Sequence, residues 1–269
     1  MLSAEQTAAR TGSHAFHGAL LNPKAGMIQP MAYCHGLALA AQAAGAQIHE
    51  HSQVRSIQRE TGGWRVVTDR GQVAAASILL ASNAYHEEAV GLPSPANVPV
   101  YFFQVATAPL DAALGKSILA SGEGCWDTAP IMSAFRRDAA GRLILGAMGS
   151  LDHAGNAIHR RWVLRKLKAL YPVLAGQKLE HIWCGRIAMT RDHIPKIQIL
   201  GEQGLSVHGY SGRGIAPGTI FGAAAVDALV VGDYSSLPLQ PVQRYEEKFQ
   251  KLRQTGYEAA ATAYHLLNF

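Results

Sequence analysis

The 269 residues carry 24 Lys and Arg against 19 Asp and Glu, a formal charge of +5, and 48% of them are hydrophobic. A chain of that size and apolar content buries one sizeable core or two smaller ones, so a disordered or low-complexity polymer is excluded. The charge does not point to nucleic acid: the densest basic stretch, HRRWVLRKLKALYP at 159–172, sets Val163, Leu167, Leu170 and Tyr171 on one helical face. Arg160, Arg161, Arg165, Lys166 and Lys168 surround the rest, the pattern of a solvated helix rather than a phosphate-binding stripe.

Taken in chain order, the pattern predicts a short helix at 4–10, a turn at 22–30, and a helix opened by Pro30 that runs to about Ala44 and stops at Gly45. The period then changes from helical to alternating. Residues 46–85 read as a strand, a second strand through Val54 and Ile57, a strand at Trp64–Thr68 and further strands up to Ala81, with turns at Thr61–Gly63 and Asp69–Gly71. The segment GLPSPANVP at 91–99 holds three prolines and reads as a crossing between lobes.

Beyond it come a strand at Val100–Ala108, a helix near Leu110–Ala120, strands near Ile131–Arg136 and Arg142–Ala147, the basic helix 157–171, and a strand through Glu180–Arg186. A strand at Leu205–His208, a helix from Ile215 to Val231 and a helical tail complete the chain. Alternation of helices with short apolar strands predicts a mixed α/β or α+β fold in two lobes.

Cys34, Cys125 and Cys184 are odd in number and form no CxxC pair, so neither a disulfide framework nor a thiolate metal site is expected. The amino terminus has no basic region followed by an apolar core, and no apolar run reaches the ~20 residues that span a bilayer, so a cytoplasmic protein is expected. The twelve histidines form no H-E-x-x-H and no close ligand cluster, and no metal is expected. His49 and His51 alternate along the expected strand and read as exposed-face residues.

The segment HGYSGRGIAPGTIFGAAAVDALVVGD at 208–233 is a strand end, a glycine turn and a long helix. A dinucleotide fingerprint needs G-x-G-x-x-G, and here Gly212 and Gly214 are followed by Gly218, one position too late, with Pro217 in the turn. G-x-S-x-G, the nucleophile elbow of hydrolases, also fails, since Arg213 stands where the last glycine belongs. A helix start beneath glycines still offers free N–H groups and a partial positive charge to a group that develops negative charge.

The stretch VHGYSGRGIAPGTIFGAAAVDAL resembles the loop and helix of the FAD-dependent amine and D-amino-acid oxidase superfamily, in which a G-[YFC]-[SG]-G-[HR]-G segment lies against the flavin pyrimidine ring. Residues 18–54 resemble that family's segment leading into its adenine-side strand and ILLASNAY at 78–85 its strand under the cofactor, while the segments 126–149 and 183–195 are similar to the γ-glutamylputrescine oxidase-like branch. The resemblance implies FAD as cofactor and two lobes: an FAD-binding lobe of glutathione-reductase-like type from 1–95 and 183–269, and an antiparallel-sheet substrate lobe from 96–182. It places Val54 at the adenine, Ala81, Ser82 and Asn83 along the ribityl and pyrophosphate portion, and Gly185, Arg186, Gly209, Tyr210, Ser211, Gly212, Gly214 and Ile215 around the isoalloxazine. Arg213 is the candidate cation for the reduced flavin, with a solvent-facing loop arginine as the equal alternative.

Tyr101, Phe103, Trp126, Met132 and Phe135 are candidates to line a substrate pocket, and Arg136 to grip a carboxylate through its fork of donors; core packing is the ordinary role of such aromatics, and a solvent-exposed strand position the alternative for Arg136. The implied reaction is oxidation of an amine or amino-acid C–N bond by hydride transfer to flavin N5, which demands orientation rather than an obligatory acid–base residue. Asp192 and His193 either approach the flavin face from the return segment or cap an ordinary turn, and Gln29 stands where relatives often carry His before the proline.

The family's opening strand, G-x-G-x-x-G loop and acidic ribose ligand have no counterpart in the sequence, which resembles the C-terminal two-thirds of such an oxidase. Exposed sheet edges are therefore expected, to be covered by a separate N-terminal partner chain, by a homodimer, or by residues upstream of Met1. The alternative to an enzyme is a non-catalytic truncated relative or subunit that serves as an interaction module. Neither nucleic acid nor membrane is an expected partner; a small amine or amino acid is.

Overall fold

A computed structural model describes residues 1–91, 96–152 and 155–268. The elements are β1 (Leu2–Ser3), α1 (Ala4–Thr11), β2 (Gly18–Ala19), α2 (Pro30–Ala43), β3 (Val54–Glu60), β4 (Gly63–Thr68), β5 (Gly71–Ala75), β6 (Ile78–Leu80) and β7 (Val98–Thr107). There follow α3 (Ala112–Gly115), β8 (Cys125–Trp126), β9 (Ser133–Arg137), β10 (Leu143–Met148), α4 (Gly155–Leu170), β11 (Leu179–Met189), β12 (Lys196–Gly201), β13 (Gly204–His208), α5 (Ile215–Val231) and α6 (Gln250–Leu267). Two compact units form: Met1–Tyr33 with Tyr101–Gly185 and Thr255–Phe269, and Cys34–Val100 with Arg186–Gln254. The proline-rich crossing falls partly at 92–95, outside the described residues.

The first unit is built on a five-stranded sheet in the order β11-β7-β10-β9-β8. Antiparallel register sets Leu145 opposite Val105 on one side and Phe135 on the other, so alternate residues Phe103, Val105, Phe135, Leu143, Leu145 and Ala147 share one buried face. Helix α4 covers it with Trp162, Val163, Leu167 and Leu170, which recur at helical spacing. The basic face is only partly solvated: Lys166 Nζ lies 2.6 Å from Asp127 Oδ2, and Arg165 Nη2 donates to the His265 carbonyl at 2.7 Å. Helix α1 opens with a capping box between Ser3 and Gln6, which satisfies two backbone N–H groups that the first turn leaves open. It closes on left-handed Gly12, and Tyr171 Oη donates to the Thr11 carbonyl at 2.9 Å to tie it to the end of α4.

The second unit holds the meander β3-β4-β5 and a three-stranded sheet β12-β13-β6. Strands β12 and β13 are antiparallel, while β13 and β6 run parallel, Leu205 opposite Leu79. Leu205 and Val207 face α5 and pack with Ile197, Ala225, Ala228 and Leu229. Trp64 of β4 fills the space over Gly204 and Gly201, and its Nε1 donates to the Glu202 carbonyl at 3.2 Å.

Several expected elements differ. Residues 46–51 form no strand, and His51 takes a left-handed φ of 53°, so the shared strand face of His49 and His51 does not exist. The helix expected at 110–120 shrinks to α3, because Asp111 caps it and Leu119, with φ of 46°, has left helical space. Strand β12 was not anticipated; its apolar residues follow a turn and draw their order from pairing with β13.

Candidate functional site

Strand β13 delivers the chain into the 209–214 loop of the second unit. Gly209, Ser211 and Gly212 have φ of 81°, 51° and 87°, so the loop repeatedly enters the left-handed region that glycine occupies without steric cost. A Cβ on Gly209 would press on Thr190 Cγ2 and lie 3.2 Å from Asn97 Oδ1, so glycine is required by space as well as by φ. The loop is pinned from three sides. Gly209 N donates to Asn83 Oδ1 at 2.9 Å, Ser211 N donates to the Ala188 carbonyl at 3.0 Å, and Thr190 N donates to Ser211 Oγ at 3.2 Å.

Helix α5 starts at Ile215 with no side-chain cap at Gly214, and it runs 17 residues to left-handed Gly232. Its leading N–H groups therefore retain hydrogen-bonding capacity and the positive end of the helix dipole. Tyr210 folds back so that its ring lies 3.6 to 3.7 Å from where a Gly214 Cβ would stand, and 6.3 Å from the Phe221 ring. Burial raises the Tyr210 phenol above its ordinary pKa. Gly212, Arg213 and Ile215 are exposed, which leaves the outer rim of the loop open.

The strand end at 81–85 lies against this loop through Asn83, which is itself left-handed with φ of 47°. Ser82 Oγ is 2.9 Å from His86 Nδ1, and Ala81 is exposed. Tyr85 escaped the sequence reading: its hydroxyl accepts the Arg186 backbone N–H at 3.0 Å, and the Arg186 guanidinium sits 4.7 Å above its ring. Val54 opens β3 opposite Thr68 and is half-buried. Gly185 lies within β11, half-buried, in the first unit.

The candidate substrate residues divide between the faces of the first unit's sheet. Phe103 is fully buried, stacked on His159 at 5.2 Å, and Tyr101 is two residues away in β7. Phe135 is also core, while Trp126 is two-thirds exposed. Arg136 lies on the opposite face from Phe135, with Met132 largely exposed nearby in sequence, and its Nη2 donates to Gln104 Oε1 at 2.6 Å. Burial lowers the guanidinium pKa, and among the described residues it forms no ion pair. A half-buried guanidinium held by a neutral amide is suited to an incoming carboxylate. Asp192 proves to be a turn residue: Oδ1 accepts Ile194 N at 3.1 Å and Oδ2 pairs with Lys196 Nζ at 2.6 Å.

A family model described as FAD dependent oxidoreductase (DAO) matches residues 1–228. The chain belongs to this family. It is 30% identical over 229 residues to a probable oxidoreductase OrdL of Haemophilus influenzae, a match covering 82% of this chain and 52% of that protein. Against the gamma-glutamylputrescine oxidoreductase of Escherichia coli it is 29% identical over 217 residues, covering 80% and 50%. The chain thus spans about half the length of the curated relatives it matches. Among solved structures, glycine oxidase from Geobacillus kaustophilus superposes with a TM-score of 0.74 at 21% identity, covering 91% of this chain and 67% of that one. L-proline dehydrogenase from P. horikoshii does so with a TM-score of 0.68 at 20% identity, covering 88% and 65%. These likenesses establish a shared mixed α/β fold with antiparallel sheets, and the family's cofactor is FAD.

The residues of the 209–215 loop fit one end of that cofactor. Left-handed Gly209 and Gly212 carry no side chain that would hold a flat ring away from the backbone, and the uncapped α5 start supplies N–H groups. The sequence contains no G-x-G-x-x-G run for the pyrophosphate.

Proposed function

We infer that the chain forms the flavin-edge and substrate portion of an FAD-dependent oxidoreductase that oxidises the C–N bond of an amine or amino acid. The carrying observation is the pinned left-handed loop leading into the uncapped start of α5, an arrangement that favours negative charge at its mouth. Bound flavin supplies the acceptor, at N5, for hydride leaving the substrate α-carbon. The chain's own part is to hold the ring's pyrimidine edge with Gly209, Tyr210, Ser211, Gly212, Gly214 and Ile215, and Arg213 adds a cation at the rim. Val54, Ala81, Ser82, Asn83, Gly185 and Arg186 are assigned to the rest of the cofactor. All the residues assigned to the cofactor except Gly185 thus belong to the second unit, and the first unit carries the substrate determinants, with Arg136 as carboxylate anchor and Tyr101 and Met132 as further candidates, while the fully buried Phe103 packs the core.

The relatives support this reading, since one is named a gamma-glutamylputrescine oxidoreductase and one a glycine oxidase. A screen of amines and amino acids with FAD-supplemented protein, read by peroxide formation or dye reduction, tests it. Turnover confined to carboxylate-bearing amines and lost in Arg136→Met supports the full assignment; absence of turnover with every amine, in protein shown to hold FAD, contradicts it.

A second reading, an interaction module that acts with a partner, draws on the sheet edge. The β12 edge receives Val242, whose N–H donates to the Ile197 carbonyl at 2.8 Å, whereas β6 pairs only with β13 among the described residues. Ile220, Val230 and Val231 of α5 and Leu37 and Leu39 of α2 are exposed. An N-terminal chain or a second copy would cover such surface. Co-expression with a strand–G-x-G-x-x-G–helix polypeptide tests it: stable co-purification favours the partner, and a monodisperse chain indifferent to it argues against one.

A further inference from the structure

His208, the last residue of β13, is completely buried immediately before left-handed Gly209. Its Nδ1 is 3.0 Å from Asn97 Oδ1, and because an amide oxygen only accepts, the imidazole proton sits on Nδ1. That leaves Nε2 as a bare lone pair. Among the described residues Nε2 is buried without a hydrogen-bond partner, as are Asn97 Nδ2, Ser206 Oγ and His86 Nε2. Asn97 also forms one wall of the space that excludes a Cβ at Gly209. The His208–Asn97 pair and the Gly209 turn are therefore one packed unit, from which the loop departs.

We propose that His208 is a positioning residue for the 209–214 loop: as a neutral, Nδ1-protonated imidazole it hooks Asn97, fixes the left-handed Gly209 and thereby sets the amides of the loop. The role at the flavin edge rests on the reading under Proposed function; the loop geometry itself does not. Among the described residues Nε2 has no hydrogen-bond partner, so protonation there places an unpaired cation in a buried pocket. From β12 it faces Lys196, whose ammonium is already committed to Asp192; from the 82–86 turn it faces His86; and from the 242–247 segment it faces the Tyr245 ring at 5.9 Å, whose hydroxyl is bonded to Glu247. No carboxylate among the described residues is bonded to the His208 ring. The imidazolium must leave, and Gly209 leaves with it. Burial, His86 and Lys196 together lower the His208 pKa to about 4.

The docked ring thus resists a proton that a released ring accepts at the ordinary imidazole value, so docking is fully favoured above about pH 6.5 and weakens as pH falls toward 4. Hydrogen exchange of the Gly209, Ser211 and Arg213 amides in the full 269-residue chain reads this, expressed as protection relative to the intrinsic rate at each pH. Protection is expected to drop about thirtyfold between pH 7.5 and 5.0. His208→Asn, which keeps a donor at the Nδ1 position and does not titrate, is expected to stay protected at both values, and His208→Leu to lose protection at both. Protection that is flat with pH in the unsubstituted chain, or a His208→Leu loop as protected as the original, overturns the proposal. Should His208→Leu not fold, nitrogen-15 shifts of the His208 ring at pH 7.5 decide: a protonated Nε2 overturns the tautomer on which the hook depends. FAD titration of the same samples separates the two claims, because a loop that behaves as expected without binding FAD contradicts the flavin reading alone.

Discussion

His159 and His265 meet Nδ1 to Nδ1 at 2.8 Å in the interior of the first unit, both essentially inaccessible to solvent. Only one proton fits between two nitrogens, so one ring donates and the other accepts, and the pair is held neutral. Trp162 stacks on His265 at 4.0 Å and Phe103 on His159 at 5.2 Å, which fixes both rings and anchors α6 through His265 and Ala261. Burial lowers both pKa values, that of His265 to about 3, helped by the repulsion that protonating both rings would create and by the neighbouring Arg165 charge.

Because the folded-state values lie below the unfolded ones, this pair's stability is intact above about pH 6.5 and is lost as pH falls toward the folded values. The loss is at most about 1.4 kcal/mol per pH unit for each histidine. Urea unfolding followed by the intrinsic fluorescence of the four tryptophans at pH 7.5, 6.0 and 5.0 is expected to show that slope. His265→Phe should cost about 1–3 kcal/mol at pH 7.5 by orphaning His159, and a His159→Leu, His265→Phe double variant should regain part of it and lose the pH slope.

At Gly209 strain and crowding are separable. Gly209→Ala is expected to cost about 1–3 kcal/mol from φ alone, plus the contact with Thr190 Cγ2. Thr190→Ser removes that methyl and keeps the hydroxyl that bonds the Ile194 carbonyl, so in the Gly209→Ala background it should return only the contact share. Thermal unfolding of the four proteins completes the cycle.

Arg136 is expected to show opposing effects on stability and binding. Replacing this half-buried guanidinium, which has no ion pair among the described residues, with Met should leave stability unchanged or raise it by about 1 kcal/mol, while weakening affinity for carboxylate ligands about tenfold or more. Differential scanning fluorimetry with and without ligand measures both.

The thiols should differ in reactivity. Cys34 is exposed, whereas burial and Glu123 push the Cys125 thiol up to about 11, leaving little thiolate at pH 8. Iodoacetamide followed by peptide mass analysis is expected to label Cys34 first.

What was legible in the sequence was what local chemistry dictates. Helix α5 was read from Ile215 to Val231 because glycines bracket it, and Gly232 is indeed its left-handed cap. The meander of β3, β4 and β5 was readable from its turns at Thr61–Gly63 and Asp69–Gly71. Features made by distant partners were not. The expected strand at 46–51 lacks a pairing strand, β12 exists through its pairing with β13, and the basic helix face conceals bonds to Asp127 and the His265 carbonyl. At the site the glycines stood out, but Tyr85, Asn97 and Thr190 bear on it from segments far apart in the chain, and no spacing rule marks such residues.

The central claim is that the 209–215 loop receives the flavin, and nitrogen-15 correlation spectra of the chain during FAD titration test it most directly, with the visible flavin band recorded in parallel. The account predicts that amides from Gly209 to Ile215 shift together as the flavin band becomes structured. FAD binding that leaves those amides unmoved, or saturating FAD that changes neither spectrum, would contradict it.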